Sequence, residues 1–285
     1  MNKLIRTYTG YALAGAFLSA IAVPAVRATL LFSEDFNYTI GANLPVSPSS
    51  GDAWGSSGGG TTTVAAQTLT PYSAGGLTVT STGGQVVNTN RTIYHNFAET
   101  DLLTSVQREA GGELYISFVA TIANPSADGG NVDIKFQGSK DVRVSVGTAW
   151  KSTQWGLNGG SFQNANVSTL TAALIVLKIA WTDADTVNFS LYVNPEATVS
   201  GSVISALASA PNQTLNGKSF GYLDQISLVN NAAGATITMD ALKIGTTLAD
   251  VVAPTPVPEP ASSVALVGGA GLLCVVLFRA VCQRR

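Results

Sequence analysis

Chemistry in this chain would have to come from carboxylates and other oxygen donors. His95 is the one histidine, and the two cysteines, Cys274 and Cys282, lie in the last dozen residues, so zinc has no ligand set. His95 sits in Ile93-Tyr94-His95-Asn96-Phe97, without a Gly-x-Ser-x-Gly elbow to signal Ser-His-Asp catalysis. It reads as a strand residue with a satisfied ring. Glycoside hydrolysis needs two carboxylates about 5–9.5 Å apart. Glu34 and Asp35 are adjacent, so on a strand they face opposite ways, and Glu109 and Glu113 flank a diglycine as loop charges. The expectation is a non-enzymatic domain. Its alternative is a polysaccharide-active glycoside hydrolase whose carboxylates only the fold brings together.

Two other patterns point to binding. Asp183 and Asp185 straddle Ala184, and their carboxylates could converge on calcium if the backbone turns there, with Asn188 nearby. Asp128 and Asn131, around a diglycine, are a second such pair. Calcium takes six to eight oxygens. The competing reading is a plain turn in which aspartate accepts hydrogen bonds from its own backbone. No cofactor other than calcium is expected. Aromatic rings can stack on the apolar face of a sugar, and Trp54, Trp150 and Trp155 flank polar or Gly/Ser-rich stretches as candidates for such a platform. The favoured reading of the three is as apolar plugs over sheet ends. Trp181 follows Leu177 and Ile179 at period two and belongs to the core.

These side chains must be carried by strands. Leu114, Ile116, Phe118, Ala120 and Ile122 alternate with Tyr115, Ser117, Val119 and Thr121. Val132, Ile134 and Phe136 alternate with Asp133 and Lys135, and Val142, Val144 and Val146 with Arg143 and Ser145. Val187, Phe189, Leu191 and Val193 repeat the pattern, and Ile226, Leu228, Ile237 and Met239 extend it. Period two is the mark of half-buried antiparallel strands. Asp128-Gly129-Gly130, Gly138-Ser139, Asn158-Gly159-Gly160 and Asn230-Asn231 punctuate them. Helical signal is confined to a turn or two over 100–108, with Thr100 as cap, and another over 203–208. Many short strands with frequent turns predict an all-β antiparallel sandwich or jelly roll. Residues 47–63 read as a long surface loop.

The stretch 29–258 carries nine Lys or Arg against sixteen Asp or Glu, a formal charge of −7. Six of the fifteen basic residues sit near the two ends. A sparsely charged acidic body without a basic cluster argues against nucleic acid as a partner. It has no cysteine and hence no disulfide, and about 230 residues bury enough apolar surface without one.

The ends carry addresses. Lys3 and Arg6 precede an apolar stretch over 12–23, Pro24 breaks it, and Val26-Arg27-Ala28 offers small residues to signal peptidase, giving a signal peptide over 1–28. At the other end Val257-Pro258-Glu259-Pro260 is followed by an apolar run over 261–278 and by Arg279, Arg284 and Arg285. A run of eighteen residues is at the short end of the roughly 17–25 that span a bilayer. The arginines would hold the end in the cytoplasm. This three-part tail resembles the PEP-CTERM sorting signal, which implies recognition at 257–260 by the membrane protease-transpeptidase exosortase. It also implies a membrane-anchored precursor and a final place on the surface or in the extracellular matrix of a Gram-negative bacterium. Residues 253–260, with four prolines, read as a linker, and 261–285 as transmembrane helix and basic tail.

The body has its own resemblance. Glu34-Asp35-Phe36-Asn37-Tyr38 precedes Gly41 and Leu44. Asp183-Ala184-Asp185-Thr186-Val187 leads into Leu191-Tyr192-Val193-Asn194-Pro195, and Asp240 to Thr247 closes the domain. In this order the segments resemble the concanavalin A-like, laminin-G-like jelly rolls. That resemblance implies one jelly-roll domain over 29–252, used for adhesion or for binding extracellular polysaccharide. The glycoside hydrolases of that superfamily use a Glu-x-Asp-x-x-Glu strand motif that this chain lacks.

Overall fold

A computed structural model describes residues 29–44, 54–125, 132–148, 152–159, 162–200 and 203–254 of the 285. The segments expected to direct export and sorting, 1–28 and 257–285, lie outside the described residues, as do Trp150, Asp128 and Asn131. No helix among the described residues is long and apolar enough to cross a membrane.

In chain order the first strands are β1 (Leu30–Glu34), β2 (Gly55–Ser57), β3 (Thr61–Ala65), β4 (Tyr72–Ala74), β5 (Leu77–Val79), β6 (Gln85–Thr89) and β7 (Thr92–Asn96). Next come β8 (Glu113–Ala123), β9 (Val132–Gly138), β10 (Arg143–Thr148), β11 (Gln154–Asn158), β12 (Phe162–Ser168), β13 (Ala173–Trp181) and β14 (Thr186–Val193). The chain closes with β15 (Ala197–Ser200), β16 (Val203–Leu207), β17 (Gln213–Ser219), β18 (Leu223–Asn230), β19 (Thr236–Gly245), the single turn α1 (Leu248–Val251) and β20 (Ala253–Pro254).

The pairings are antiparallel and build two large sheets. One runs β17-β14-β13-β8-β19-β6-β3, with β1 added beside β19, and the other runs β12-β11-β10-β9-β18-β7-β2. Alternation sets what lies between them. Ile116, Phe118, Ile175, Leu177, Phe189 and Ile244 of the eight-stranded sheet share one buried cluster with Ile93, Ile134, Phe136, Val146, Trp155 and Ile226 of the seven-stranded sheet. Each such side chain contributes about 1.5–3 kcal/mol by leaving water. The all-β antiparallel sandwich expected from period two is therefore what the chain forms.

The two outer faces differ. The outer face of the eight-stranded sheet is partly covered by a β20-β5-β4 sheet, the β15-β16 hairpin and α1. Leu77, Val79, Ile204, Val251 and Val252 pack there on Val119, Leu174 and Val176, forming a second apolar cluster. The outer face of the seven-stranded sheet is polar.

Three local expectations are corrected. Residues 203–208 are not helical: β16 pairs with β15, Val199 opposite Ile204, and Ile204 enters the second cluster. Cross-strand pairing and burial outweigh the helix propensity of the alanines. The segment 100–108 makes one turn capped at Thr104 rather than Thr100, with the Arg108 N–H donating to the Thr104 carbonyl at 3.1 Å. Residues 54–57 and 61–63 are not surface loop, because β2 and β3 join the two sheets and Trp54 is buried.

β19 contains the one irregularity that matters most. Against β8, Asp240 pairs with Val119 but Lys243 with Ser117, so β19 holds one extra residue, a β-bulge. The bulge moves the inward parity from Ile237 and Met239 to Leu242 and Ile244. Ala241, at φ 54°, turns instead into the second cluster. Asp240 is fully buried. Its Oδ1 accepts from the Ala241 N–H at 2.6 Å, and its Oδ2 from the Thr70 hydroxyl at 2.7 Å and Gln67 Nε2 at 3.4 Å. Asp240→Ala leaves those donors unmatched, and we expect it to lower unfolding free energy by about 3 kcal/mol in urea denaturation.

Candidate functional site

The polar face of the seven-stranded sheet is built by register. Burying Ile134 and Phe136 of β9 turns Asp133, Lys135 and Gln137 outward, and the neighbouring strands follow suit. Tyr94, Ser227, Lys135 and Ser145 line up across β7, β18, β9 and β10. Asn96, Gln225, Gln137 and Arg143 form the next row, and Thr92, Val229, Asp133 and Gly147 the row on the other side. Three cross-strand rows thus present hydroxyls, amides and two cations on one surface, around a cavity of about 340 Å³. That volume is within the range of small-ligand sites.

The rows are internally ordered. Gln225 Nε2 donates to Asn96 Oδ1 at 2.7 Å, Ser227 Oγ to Gln225 Oε1 at 3.1 Å, and Arg143 Nε to Gln137 Oε1 at 3.0 Å. Among the described residues this is the side-chain hydrogen bond Arg143 makes, and a guanidinium has four further N–H donors. Two glycines shape the relief. A Cβ on Gly55 would meet the Tyr94 ring at 2.4 Å, so the ring lies over bare backbone. A Cβ on Gly147 would meet Asp133 Cβ at 2.6 Å, so glycine leaves room for that side chain.

Asp133 is the chemically unusual group. It is 3 % exposed, and its Oδ1 accepts no hydrogen bond among the described residues, with Lys135 Nζ 3.9 Å away. Burial pushes its carboxyl up to about 6, against the opposing pull of Lys135 and a hydrogen bond with Ser145. A carboxyl titrating there can hold or release a proton near neutral pH.

The residues singled out from sequence fall elsewhere. Trp155 is completely buried, because the alternation of β11 turns Trp155 and Leu157 into the core and Gly156 outward. Trp54 is 2 % exposed, and its Nε1 donates to Glu34 Oε2 at 2.9 Å. Neither belongs to an exposed sugar platform. Glu34 also accepts from the Phe36 N–H and the Tyr38 hydroxyl, so it organises the first turn after β1. His95 faces inward on β7 against Phe32, Phe97 and Trp54.

At Asp183 and Asp185 the structure shows the turn. Asp183 Oδ1 accepts from the N–H groups of Asp185 and Thr186 at 3.0 and 2.8 Å, which holds its carboxyl below the usual carboxylate range. Asp185 pairs with Lys140 at 3.3 Å. Asp183 thus caps the β13-β14 hairpin and Asp185 flanks it. Among the described residues no cluster of three or more His, Cys, Asp or Glu is placed to hold a metal.

No family model and no curated protein matches this chain. Among solved structures it is similar to an endo-β-1,4-glucuronan lyase from the fungus Trichoderma reesei, at 13% identity and a TM-score of 0.39, over 79% of this chain and 98% of that one. It is similar to a carbohydrate esterase from the Shiga toxin-encoding bacteriophage phi24B, at 9% identity and a TM-score of 0.41, over 77% and 99%. It is similar also to the cellulose induced protein Cip1, at 12% identity and a TM-score of 0.38, over 76% and 97%. Likeness at this level bears on architecture alone. The forecast of a non-enzymatic domain is withdrawn, with a lyase and an esterase among these neighbours, and no activity is carried over from them.

Asp133 makes the fold sensitive to pH. Its carboxyl is easier to protonate folded than unfolded, so it favours the folded state below about pH 4 and loses that contribution as pH rises through 6. Asp133→Asn is expected to stabilise the protein by about 3 kcal/mol at pH 8 and by nothing below pH 4, read from denaturation curves at the two pH values.

Proposed function

We propose that this is an exported surface protein whose seven-stranded sheet engages an acidic polysaccharide, on a concanavalin A-like jelly roll. The observation that carries the reading is the placement of Lys135 and Arg143 in rows of amides and hydroxyls on one polar face. The body around them has a net formal charge of −7. Uronate units offer carboxylates to the two cations and hydroxyls to Gln137, Gln225, Ser227 and Asn96, and Tyr94 supplies a ring at the edge. The segments at 1–28 and 257–285 support export through signal peptidase, followed by exosortase sorting to the surface or matrix.

Turnover of the bound polymer is the second reading, and Asp133 favours it. Burial raises its carboxyl to about 6 and Lys135 Nζ stands 3.9 Å away, so a proton can be held beside this face near neutral pH.

Affinity electrophoresis of the full chain in polygalacturonate gels, with dextran gels as control, tests the binding. Retention by polygalacturonate is expected, with at least a tenfold loss in Lys135→Met/Arg143→Met; equal retention of that variant excludes the face. New reducing ends or unsaturated products that Asp133→Asn fails to make would establish turnover. The intact mass of protein recovered from its host's surface tests the sorting. A mass spanning about 29–258 supports both processing events, and one retaining 261–285 means a plain anchor.

A further inference from the structure

The covered side of the sandwich holds a cavity larger than the one described on the polar face. Where the second apolar cluster stops, a cavity of about 530 Å³ opens on the outer face of the eight-stranded sheet. Its floor is Glu113 and Tyr115 of β8, Lys178 of β13 and Tyr192 of β14. Its walls come from β16 and from the residues that enter α1.

The polar groups of the floor form one joined set. Lys178 Nζ lies 2.5 Å from Glu113 Oε1 and 5.5 Å from the centre of the Tyr115 ring, and the Tyr115 hydroxyl donates to Glu113 Oε2 at 2.8 Å. The Lys178 and Glu113 side chains are 25% and 37% exposed, so the pair is partly desolvated. Such a pair adds little to stability and is weakly explained as a structural element. The charges cancel, so the cavity offers no net attraction to an anion. Glu113 has unused lone pairs and Lys178 unused protons, while Tyr192 and the aliphatic side chains of Ile204 and Leu207 provide apolar surface.

We propose that this cavity is a second carbohydrate site, for an uncharged sugar at the end of a glycan. A sugar ring has one apolar face and a rim of hydroxyls that both donate and accept. Tyr192 and the β16 wall match the face, and the Glu113–Lys178 pair matches the rim. Burial raises the hydroxyl pKa of Tyr115 and Tyr192, which keeps both phenols neutral as hydrogen-bonding partners. The site is independent of the acidic-glycan face, which belongs to the other sheet. A chain with both sites joins two glycans of different charge.

The test is saturation-transfer NMR on the full chain with four uncharged tetrasaccharides, built from β-1,4-glucose, α-1,4-glucose, β-1,4-xylose and β-1,4-mannose. Ala206 is an exposed wall residue, so Ala206→Trp fills the cavity without touching the core. Wild type is expected to bind at least one tetrasaccharide. Ala206→Trp and Lys178→Met should each weaken that binding at least tenfold and leave polygalacturonate retention and the melting temperature unchanged. The proposal is overturned if wild type binds none of the four, or if the binding survives Ala206→Trp and is lost in Lys135→Met/Arg143→Met. Failure of polygalacturonate retention would instead remove the reading of the other face and leave this one standing.

Discussion

The structure turns on one buried carboxylate. β19 lies inside the eight-stranded sheet, bonded to β8 on one edge and to β6 and then β1 on the other. A strand of constant parity could not serve both partners and both apolar clusters. The extra residue at Asp240–Ala241 resolves this, because it changes which side chains face the sandwich core and sends Ala241 to the opposite side. A bulge exposes backbone groups that the ladder no longer satisfies. Asp240 accepts the local N–H itself and draws in Thr70 and Gln67, so the segment leading to β4 and β5 is fastened where the strand is irregular. The cover on the outer face therefore depends on the same side chain as the core.

The two faces of the sandwich follow from what covers them. On the eight-stranded sheet both parities of β8 become buried over its middle, since Val119 meets the second cluster while Phe118 meets the first. On the seven-stranded sheet the outward positions are mostly polar, although Asp133, Ser145, Ser227 and Val229 among them are buried. A polar open sheet surface can recognise a long hydrated polymer without large rearrangement, because its side chains are fixed at strand spacing.

Much of this was legible in local pattern. The alternation of Leu114 to Ile122 and of Val187 to Val193 gave the right strands and the right inward sets. The step from Ile237 and Met239 to Leu242 and Ile244 carried the bulge as a break in parity. Asp133, Lys135 and Arg143 were recognisable as outward positions. The side chains that surround them were not, because Gln225 and Ser227 of β18 and Tyr94 and Asn96 of β7 come from far along the chain. Composition misled where tertiary contacts decide. Trp54 lies in Gly/Ser-rich sequence but is claimed by Glu34 and the core, and the Asp183-Ala184-Asp185 pattern suits a metal and a hairpin turn equally well.

The end of the domain has a mechanical consequence. β20 is two residues long and joins only β5, whereas β19 just before it is bonded along both edges. Tension applied to the chain beyond Pro254 would meet the short pairing first and peel it one bond at a time. Next in line is α1, whose Leu248 and Val251 lie in the second cluster and whose first residues wall the outer-face cavity. Only after that would the load reach β19, which resists in shear across several strands. The sandwich is thus built to yield in stages under pull, losing one wall of a cavity long before it loses its core.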